Sequence, residues 1–333
     1  MFKQITLSYQ IAKTALFKKY PFILYLKPTA RCNLRCKSCS RWQDESSKQE
    51  EMPLEEIQSI LKKFRKAGFA VFSAWGGEPT IRNDLPEILA SAKKLGYRTS
   101  MCTNCFLLPQ KADSILPHLD VLLCSLDGYG ESHDEFRGLK GLFDRVVKSI
   151  EIATASYPKC HIKMWTSIHK KNIHQVEQLA HLAQKLKVGI EFFPISLIQG
   201  YNDELVPDNT DRHKVFSDII KLKQQGLPIR NPYRALKIMQ HAQPFQCNFG
   251  QIALFLDHKG NVYTCEDSAG NPRHFWSGHK DFVPEKIFTS DEFKKATASL
   301  KKCNICSLPC MLELSGSLLR CFAEMSFNPK RWR

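Results

Sequence analysis

The chain has 333 residues, of which 43% are hydrophobic and 24% are charged, so it can bury a core and is neither disordered nor fibrous. Its 13 cysteines are too sparse over this length for a small disulfide scaffold, and their uneven clustering favours metal ligands. The sequence has no signal-peptide pattern and no run of about 18 uncharged apolar residues. We therefore expect a cytoplasmic protein that does not span a membrane.

The net charge of +15 is concentrated at the start of the chain. Residues 1–43 contain nine Lys or Arg and no Asp or Glu, so they supply +9 of the total. Within residues 1–21, apolar side chains recur at helical spacing between lysines, which predicts a basic amphipathic helix. These side chains are Phe2, Ile5, Tyr9, Ala12 and Leu16. Such a helix either packs on the rest of the protein or lies peripherally on an anionic membrane surface.

Strand-like and helix-like segments alternate through the next part of the chain. Buried-strand patterns occupy residues 22–28, 69–75, 97–103, 121–127, 160–168 and 190–195. Amphipathic helical patterns lie between them at residues 53–68, 85–96, 113–119, 141–156 and 174–189. This alternation predicts parallel βαβ units and an α/β fold, a partial (β/α)6 TIM-like barrel over residues 22–200. In such folds the active site lies at the carboxyl ends of the strands.

Three cysteines follow the first predicted strand in one short loop. The spacing Cys32-x3-Cys36-x2-Cys39 lets three thiolates bind one metal centre and leaves one ligand position open for a substrate or cofactor. The alternative is a zinc site whose fourth ligand comes from elsewhere in the fold. Nearby cations would favour the thiolate form of these cysteines. Those cations are Arg31, Arg35 and Arg41.

Four stretches, each at a predicted strand end, resemble the motifs of the radical S-adenosylmethionine (radical SAM) superfamily. The CNLRCKSC segment is similar to the CxxxCxxC signature, and WGGEPT at 75–80 is similar to the GGE motif. SMCTNCFLL at 100–108 resembles the TNG stretch, and SLDGYGESHDEFRG at 125–138 resembles the segment that follows strand four. Their order along the chain makes the resemblance specific.

The resemblance implies a [4Fe-4S] cluster on Cys32, Cys36 and Cys39 and binding of S-adenosylmethionine at its open iron. It also implies which residues contact or approach the cofactor. Gly76, Gly77 and Glu78 would meet its methionine amino group, and Ser125, Asp127 and Arg137 would lie near it. One-electron cleavage of the cofactor would give a 5′-deoxyadenosyl radical that abstracts a hydrogen atom from a substrate. The chain departs from the family at Cys105, where glycine is common.

The remaining cysteines of the predicted barrel have less specific signals. Cys124 and Cys160 lie in apolar strands, where a free cysteine behaves as a small hydrophobic residue. Cys102 and Cys105 have the spacing of a redox or zinc pair, but their place at a strand end favours packing. Cys105 could instead face the substrate.

The last third of the chain carries a second group of cysteines. Residues 201–246 predict a helical linker with a helix at 211–226, and residues 247–333 contain a predicted β-hairpin that turns at 258–261. Four cysteines could close a second metal site: Cys247, Cys265, Cys303 and Cys306, with Cys310 as a competitor. The arrangement resembles the SPASM or twitch auxiliary domains of radical SAM enzymes, which implies an auxiliary [4Fe-4S] cluster. Zinc on the same thiolates is the alternative.

The resemblance also implies partners. An electron donor such as flavodoxin or ferredoxin would supply the electron, and auxiliary clusters often accompany peptide substrates. A small-molecule or membrane-lipid substrate is the alternative. RNA is disfavoured because the sequence has no platform of interleaved aromatic and basic residues. A non-catalytic metal-binding module would explain the cysteines but not the GGE motif.

Overall fold

The computed structural model describes residues 21–43, 50–266, 272–276, 283–301 and 303. The predicted helix over residues 1–21 therefore lies outside the described residues, apart from its last position. The strands are β1 Ile23–Leu26, β2 Val71–Ala74, β3 Arg98–Thr103, β4 Val121–Ser125, β5 His161–Ile168, β6 Gly189–Pro194, β7 Ala253–Leu256, β8 Val262–Glu266 and β9 Pro272–Trp276.

Helices connect these strands and follow them. The α-helices are α1 Leu54–Ala67, α2 Leu85–Lys94, α3 Leu108–Ile115, α4 Glu131–Arg137, α5 Leu142–Ser156, α6 Val176–Lys185, α7 Asn209–Gln224, α8 Tyr233–Gln240, α9 Phe249–Ile252, α10 Pro284–Thr289 and α11 Asp291–Leu300. The short 3₁₀ helices are Arg41–Gln43, Pro79–Ile81, Leu116–His118, Ile173–Gln175 and Asp203–Leu205. In the described part of the chain, none of the helices is long and apolar enough to cross a membrane.

All nine described strands belong to one sheet, in the order β6-β5-β4-β3-β2-β1-β7-β8-β9. Strands β1 to β6 pair in parallel between sequence neighbours, as consecutive βαβ units predict. The order has two ends, so the sheet is open. The predicted partial (β/α)6 barrel is confirmed.

Local signals set most helix bounds. Helix α1 buries Ile57, Ile60 and Phe64 along one face and ends at Gly68, whose φ of 113° places it in the left-handed region that favours glycine. The predicted third helix begins too late. Helix α3 starts at Leu108 because Pro109 lies in its first turn, where the missing N–H has no partner to lose.

Side chains of the sheet alternate between two faces. Leu24, Phe72 and Met101 pack with the helices in the main core. On the opposite face, Tyr25 stacks on Phe255 with ring centroids 5.1 Å apart, in a second cluster near β1 and β7.

The predicted β-hairpin forms, but it also extends the barrel sheet. Strands β7 and β8 pair antiparallel around Gly260, and β7 pairs in parallel with β1, with Tyr25 opposite Phe255. The segment predicted as a helical linker contains two helices, and Phe216 of α7 packs into the main core. The hairpin that carries Cys265 is therefore continuous with the strand that leads to the cysteine loop.

Candidate functional site

The first cysteine of the loop, Cys32, is the sixth residue after β1 ends at Leu26. Cys36 is buried, whereas Cys32 and Cys39 are half-buried, and the Cys39 N–H donates to the Cys36 carbonyl oxygen at 3.2 Å. Neighbouring segments hold the loop by its backbone. The Glu78 N–H donates to the Arg31 carbonyl at 2.8 Å before the loop, and the Lys37 N–H donates to the Phe136 carbonyl at 3.0 Å within it.

A tyrosine that the sequence reading missed also holds this loop. The hydroxyl of Tyr201 donates to the carbonyl oxygens of Cys36 and Cys39, at 3.4 and 3.1 Å. Tyr201 lies in the connection after β6, at the far edge of the parallel part of the sheet. Its turn is fixed by Asn202, which is fully buried and accepts from the Ile198 N–H at 2.8 Å.

The two glycines of the GGE motif allow the β2 end to lie against the entry of the cysteine loop. A Cβ at Gly77 would overlap the Arg31 carbonyl oxygen, and one at Gly76, whose φ is 122°, would overlap the Lys27 side chain. The Gly77 N–H donates to the Thr29 carbonyl at 3.2 Å. Close approach of two backbones is a common reason for glycine. Here it fixes the loop that carries the thiols.

Glu78 has a fully buried carboxylate that joins the ends of β2 and β3. Its Oε1 accepts from the Thr80 N–H and hydroxyl at 3.1 and 2.6 Å and from the Thr103 hydroxyl at 2.7 Å. Its Oε2 accepts from the Asn104 N–H at 2.7 Å. Burial raises the pKa of Glu78, while these donors oppose the rise.

The hydrogen bonds that Glu78 already accepts leave few acceptor positions for the ammonium group of a cofactor. A carboxylate offers about four acceptor positions over its two oxygens. Oε1 has three donors and Oε2 has one, so further acceptor capacity remains on Oε2. The implied contact between Glu78 and the methionine amino group stays a prediction.

Asp127 and Arg137 form a buried ion pair behind the cysteine loop. Arg137 Nη2 lies 2.5 Å from Asp127 Oδ2, and Arg137 Nη1 lies 4.0 Å from the Cys36 sulfur. Asp127 Oδ1 accepts from the Ser167 N–H at 2.7 Å. The Asp127 N–H donates to His133 Nδ1 at 3.0 Å. The pair with Arg137 lowers the pKa of Asp127 against the effect of burial.

Ser125 and the cysteines around it lie at the ends of β3 and β4. Ser125 is buried, and its Oγ lies 3.7 Å from the Cys102 sulfur. Cys105 is fully buried with a φ of 63°, the conformation that favours glycine and that accounts for glycine as the common residue there. Cys124 and Cys160 are buried in the core, as predicted.

Two of the flanking arginines, Arg31 and Arg35, donate hydrogen bonds to groups other than the thiols, whereas Arg41 lies close enough to Cys39 for their charges to interact. Arg31 Nε donates to Glu51 at 3.0 Å, and Arg35 donates to the Cys32 and Leu34 carbonyl oxygens at 3.2 and 3.0 Å. These contacts stabilise the fold of the loop.

Burial, opposed by the Arg137 guanidinium, sets the ionisation of Cys32 and Cys36. Desolvation raises the pKa of Cys32, and it raises that of Cys36 to about 12. The guanidinium of Arg137 lowers both values. A bound cation or metal would therefore favour the thiolates strongly.

Unpaired donors around the loop test whether an iron–sulfur cluster and its ligand fit. Several buried N–H groups near the loop lack an acceptor: Asn33 Nδ2, Arg41 Nε, Trp42 Nε1, Trp75 Nε1 and Arg137 Nε. Buried donors are normally paired, and cluster sulfurs and an anionic ligand are acceptors. In the described ranges, no three or more His, Cys, Asp or Glu side chains converge as ligands of a single ion. A cluster instead distributes its thiolates over separate irons, so the residues present fit this group.

The auxiliary cysteines are described in part. Cys247 and Cys265 are buried, at the start of α9 and in β8, and Cys303 is half-buried after α11. Cys303 lies close enough to Cys247 to raise its pKa, together with the larger effect of burial. Cys306 and Cys310 lie outside the described residues.

Comparisons with known proteins agree with these motifs. Residues 26–183 match the model of the Radical SAM superfamily. The Fe-coproporphyrin III synthase of Methanosarcina barkeri is 27% identical over 240 residues, 67% of this chain and 59% of that protein. A probable GTP 3',8-cyclase of Saccharolobus solfataricus is 33% identical over 177 residues, 51% of this chain and 56% of that protein. The chain thus spans less than two thirds of the length of these curated relatives.

Solved structures share the fold over most of the chain. Streptococcus suis SuiB has a TM-score of 0.70 at 17% identity, covering 93% of this chain and 77% of its own. The anSMEcpe structure with bound AdoMet has a TM-score of 0.68 at 19% identity, covering 93% and 98%. Coverage of 93% of this chain means that both comparisons include residues beyond the 26–183 range.

Proposed function

This chain belongs to the radical SAM superfamily, and on that premise we propose that it reductively cleaves S-adenosylmethionine and abstracts a hydrogen atom from a substrate. The observation that carries the proposal is the position of the loop thiols. Cys36 lies beside the Arg137 guanidinium, and the loop that carries it is bonded to the GGE segment, so strand-end motifs distant in sequence meet at one place.

Cys32, Cys36 and Cys39 would hold a [4Fe-4S] cluster. When bound, the cluster would supply one electron for cleavage of the bond between sulfur and C5′ of S-adenosylmethionine, which would give methionine and a 5′-deoxyadenosyl radical able to take a hydrogen atom from the substrate. Asn33, Arg41, Trp42 and Trp75 supply buried N–H donors toward this region, as the unpaired atoms suggest.

The chain's own residues position and enclose the reactants. Gly76, Gly77 and Glu78 would fix the β2 end under the methionine group. Ser125, Asp127 and Arg137 would form the opposite side near the cofactor, with Arg137 offsetting the charge of the Cys36 thiolate. Glu78, Ser125 and Asp127 are buried, so they would help to exclude water from the place where a reactive radical would form.

The central proposal has a test that does not need the substrate. Anaerobic reconstitution with iron and sulfide, followed by dithionite and S-adenosylmethionine, should yield 5′-deoxyadenosine. A variant with Cys32, Cys36 and Cys39 replaced by Ala should form none. Cys160→Ala is the matched control, because Cys160 is a core residue and should leave cleavage intact. Formation of 5′-deoxyadenosine by the triple variant would refute the proposal.

We further propose one auxiliary [4Fe-4S] cluster on Cys247, Cys265, Cys303 and Cys306, with Cys310 as the competing ligand. The proximity of Cys247 to Cys303 supports it. We also propose that the chain divides into residues 22–200, the barrel, residues 201–246, the helical linker, and residues 247–333, the auxiliary domain. Two clusters predict about eight iron atoms per chain, whereas about four iron atoms with one zinc would favour a zinc site.

The proposed substrate is a peptide. SuiB was solved bound to precursor peptide SuiA, and anSMEcpe was solved with AdoMet and the Cp18Cys peptide. These proteins share the fold over 93% of this chain, which supports a peptide for this chain as well. The proposed electron donor is a flavodoxin or ferredoxin.

A small-molecule substrate is the second candidate, and the sequence relatives favour it. The Fe-coproporphyrin III synthase matches more of this chain than the GTP 3',8-cyclase does. Deuterated probes separate the candidates, because hydrogen abstraction transfers deuterium into 5′-deoxyadenosine. Transfer from peptides encoded beside the gene would support the peptide, and transfer from a deuterated tetrapyrrole precursor of Fe-coproporphyrin III would support the small molecule.

A further inference from the structure

Glu266 has a buried carboxylate at the end of β8, directly after Cys265. Its side chain is 3% exposed and bonds three groups. Oε1 accepts from the Tyr263 hydroxyl at 2.6 Å and lies 3.5 Å from Lys27 Nζ. Oε2 accepts from Arg41 Nη2 at 3.0 Å.

The two cations come from opposite ends of the cysteine loop. Lys27 is the first residue after β1 and precedes Cys32, and its side chain is 7% exposed. Arg41 follows Cys39 by two positions, and its guanidinium carbon lies 5.2 Å from the centre of the Trp75 ring. One carboxylate on the β-hairpin thus binds both the entry and the exit of the loop.

The pairing of β1 with β7 does not explain why Glu266 binds both Lys27 and Arg41. Strands β1 and β7 are already paired in parallel register, and the backbone between them fixes Lys27 through its N–H bond to the Leu256 carbonyl at 2.8 Å. A buried ionic group contributes less to stability than apolar residues of similar volume would. Its directional contacts do, however, fix the position of the groups they join, and Arg41 lies outside the sheet.

We propose that Glu266 is a positioning residue that holds the Cys39 end of the cluster-binding loop against the hairpin carrying Cys265. Through it, the segment proposed to bind the auxiliary cluster sets the position of the loop proposed to bind the first cluster. The inference rests on the proposed function, because the consequence for a cluster exists only if the loop thiols bind one.

Hydrogen exchange measures the positioning without any cluster. In the full-length, cluster-free protein, Glu266→Gln should speed exchange of the backbone amides of residues 39–43 by about tenfold, as loss of a charge-assisted contact predicts. Glu51→Gln is the matched control. It removes the partner of Arg31 at the entry of the same loop, where the ion pair is more exposed, at 49% for Arg31. It should leave exchange at residues 39–43 unchanged.

The midpoint potential of the cluster in the reconstituted protein is a second measurement. A purely structural role of Glu266 would leave this potential unchanged. Glu266→Gln removes a buried negative charge beside the loop, so the midpoint potential of the cluster on that loop should become less negative. Glu266→Asp keeps the charge and should restore the potential toward the wild-type value.

The outcomes separate the two proposals. Unchanged exchange and unchanged potential in Glu266→Gln would overturn the positioning role. Faster exchange in a protein that forms no 5′-deoxyadenosine would keep the positioning role and count against the proposed function. If Glu266→Gln does not fold, Arg41→Gln removes the same contact from the half-exposed side and should give the same exchange result, whose absence would overturn the inference.

Discussion

Arg137 binds Asp127 through a 2.5 Å ion pair and places its second terminal nitrogen 4.0 Å from the Cys36 sulfur. One guanidinium thus connects the end of β4 with the cysteine loop. The guanidinium can reach Asp127 and Cys36 with two separate nitrogens, whereas a lysine ammonium has one nitrogen.

Replacing Arg137 with Met should therefore destabilise the protein and abolish cofactor cleavage. Asp127 would remain buried without its partner, which typically costs about 3–5 kcal/mol of unfolding free energy. The double variant Arg137→Met/Asp127→Asn should recover part of this stability but not 5′-deoxyadenosine formation. Urea unfolding and product chromatography measure the two effects, and a double variant with wild-type cleavage would show that Arg137 has no role at the Cys36 thiol.

The sequence predicts most of the parallel sheet because each strand and helix carries its own short-range pattern. The pairing of β7 with β1 was not predicted, since residues more than 220 positions apart meet only through tertiary packing. The sequence also does not predict helix α4, because its seven residues lie within the 125–138 motif.

The residues of the candidate site likewise include some that the sequence predicts and some that it does not. Residues within motifs were found, and the structure places Gly77, Glu78 and Arg137 against the cysteine loop. Tyr201 and Glu266 were missed because they lie outside any motif. Tyr201 binds backbone carbonyl groups, which leave no pattern in the sequence. The signal available for Glu266 was an acidic residue next to a candidate ligand cysteine.

Gly77→Ala should prevent assembly of the loop without unfolding the sheet. The added Cβ would overlap the Arg31 carbonyl, which belongs to a backbone held on both sides of the loop. We expect iron incorporation to fall about tenfold or more, because a shift of the loop entry misplaces the thiols. Gly226→Ala, in the connection after α7, is the control: its Cβ would meet nothing within 4 Å, although its φ of 92° makes the substitution mildly strained. Equal iron content in the two variants would contradict the prediction.

Two buried histidines predict that stability falls in mild acid. Burial lowers the pKa of His133 to about 3 and that of His169 to about 4, against about 6.5 in the unfolded chain. Both histidines are neutral in either state above pH 6.5, so no stability is lost there. Below pH 6.5 the unfolded state binds more protons, and each histidine lowers the unfolding free energy by about 1.4 kcal/mol per pH unit until its folded pKa is reached.

Replacement of His169 tests this pH dependence. Its ring stacks on Phe136 at 3.7 Å between centroids, so His169→Leu keeps an apolar side chain against Phe136 and removes the titrating group. Between pH 7.5 and 5, the cluster-free variant should lose about 2 kcal/mol less than the wild type in urea unfolding. If the unfolding free energies of the wild type and the variant fall equally between pH 7.5 and 5, protonation of His169 does not contribute to the loss of stability.

Tyr201→Phe should loosen the cysteine loop while leaving the fold intact. The hydroxyl binds the Cys36 and Cys39 carbonyl oxygens, and its loss removes a net contribution of about 1 kcal/mol. Because the contact is local, its loss should make the loop open more often without unfolding the protein. The reconstituted variant should then lose iron to a chelator roughly fivefold faster than the wild type. Tyr129→Phe is the matched control, since Tyr129 is 39% exposed and its ring packs on Phe143. If both variants release iron at the same rate, the Tyr201 hydroxyl does not hold the loop.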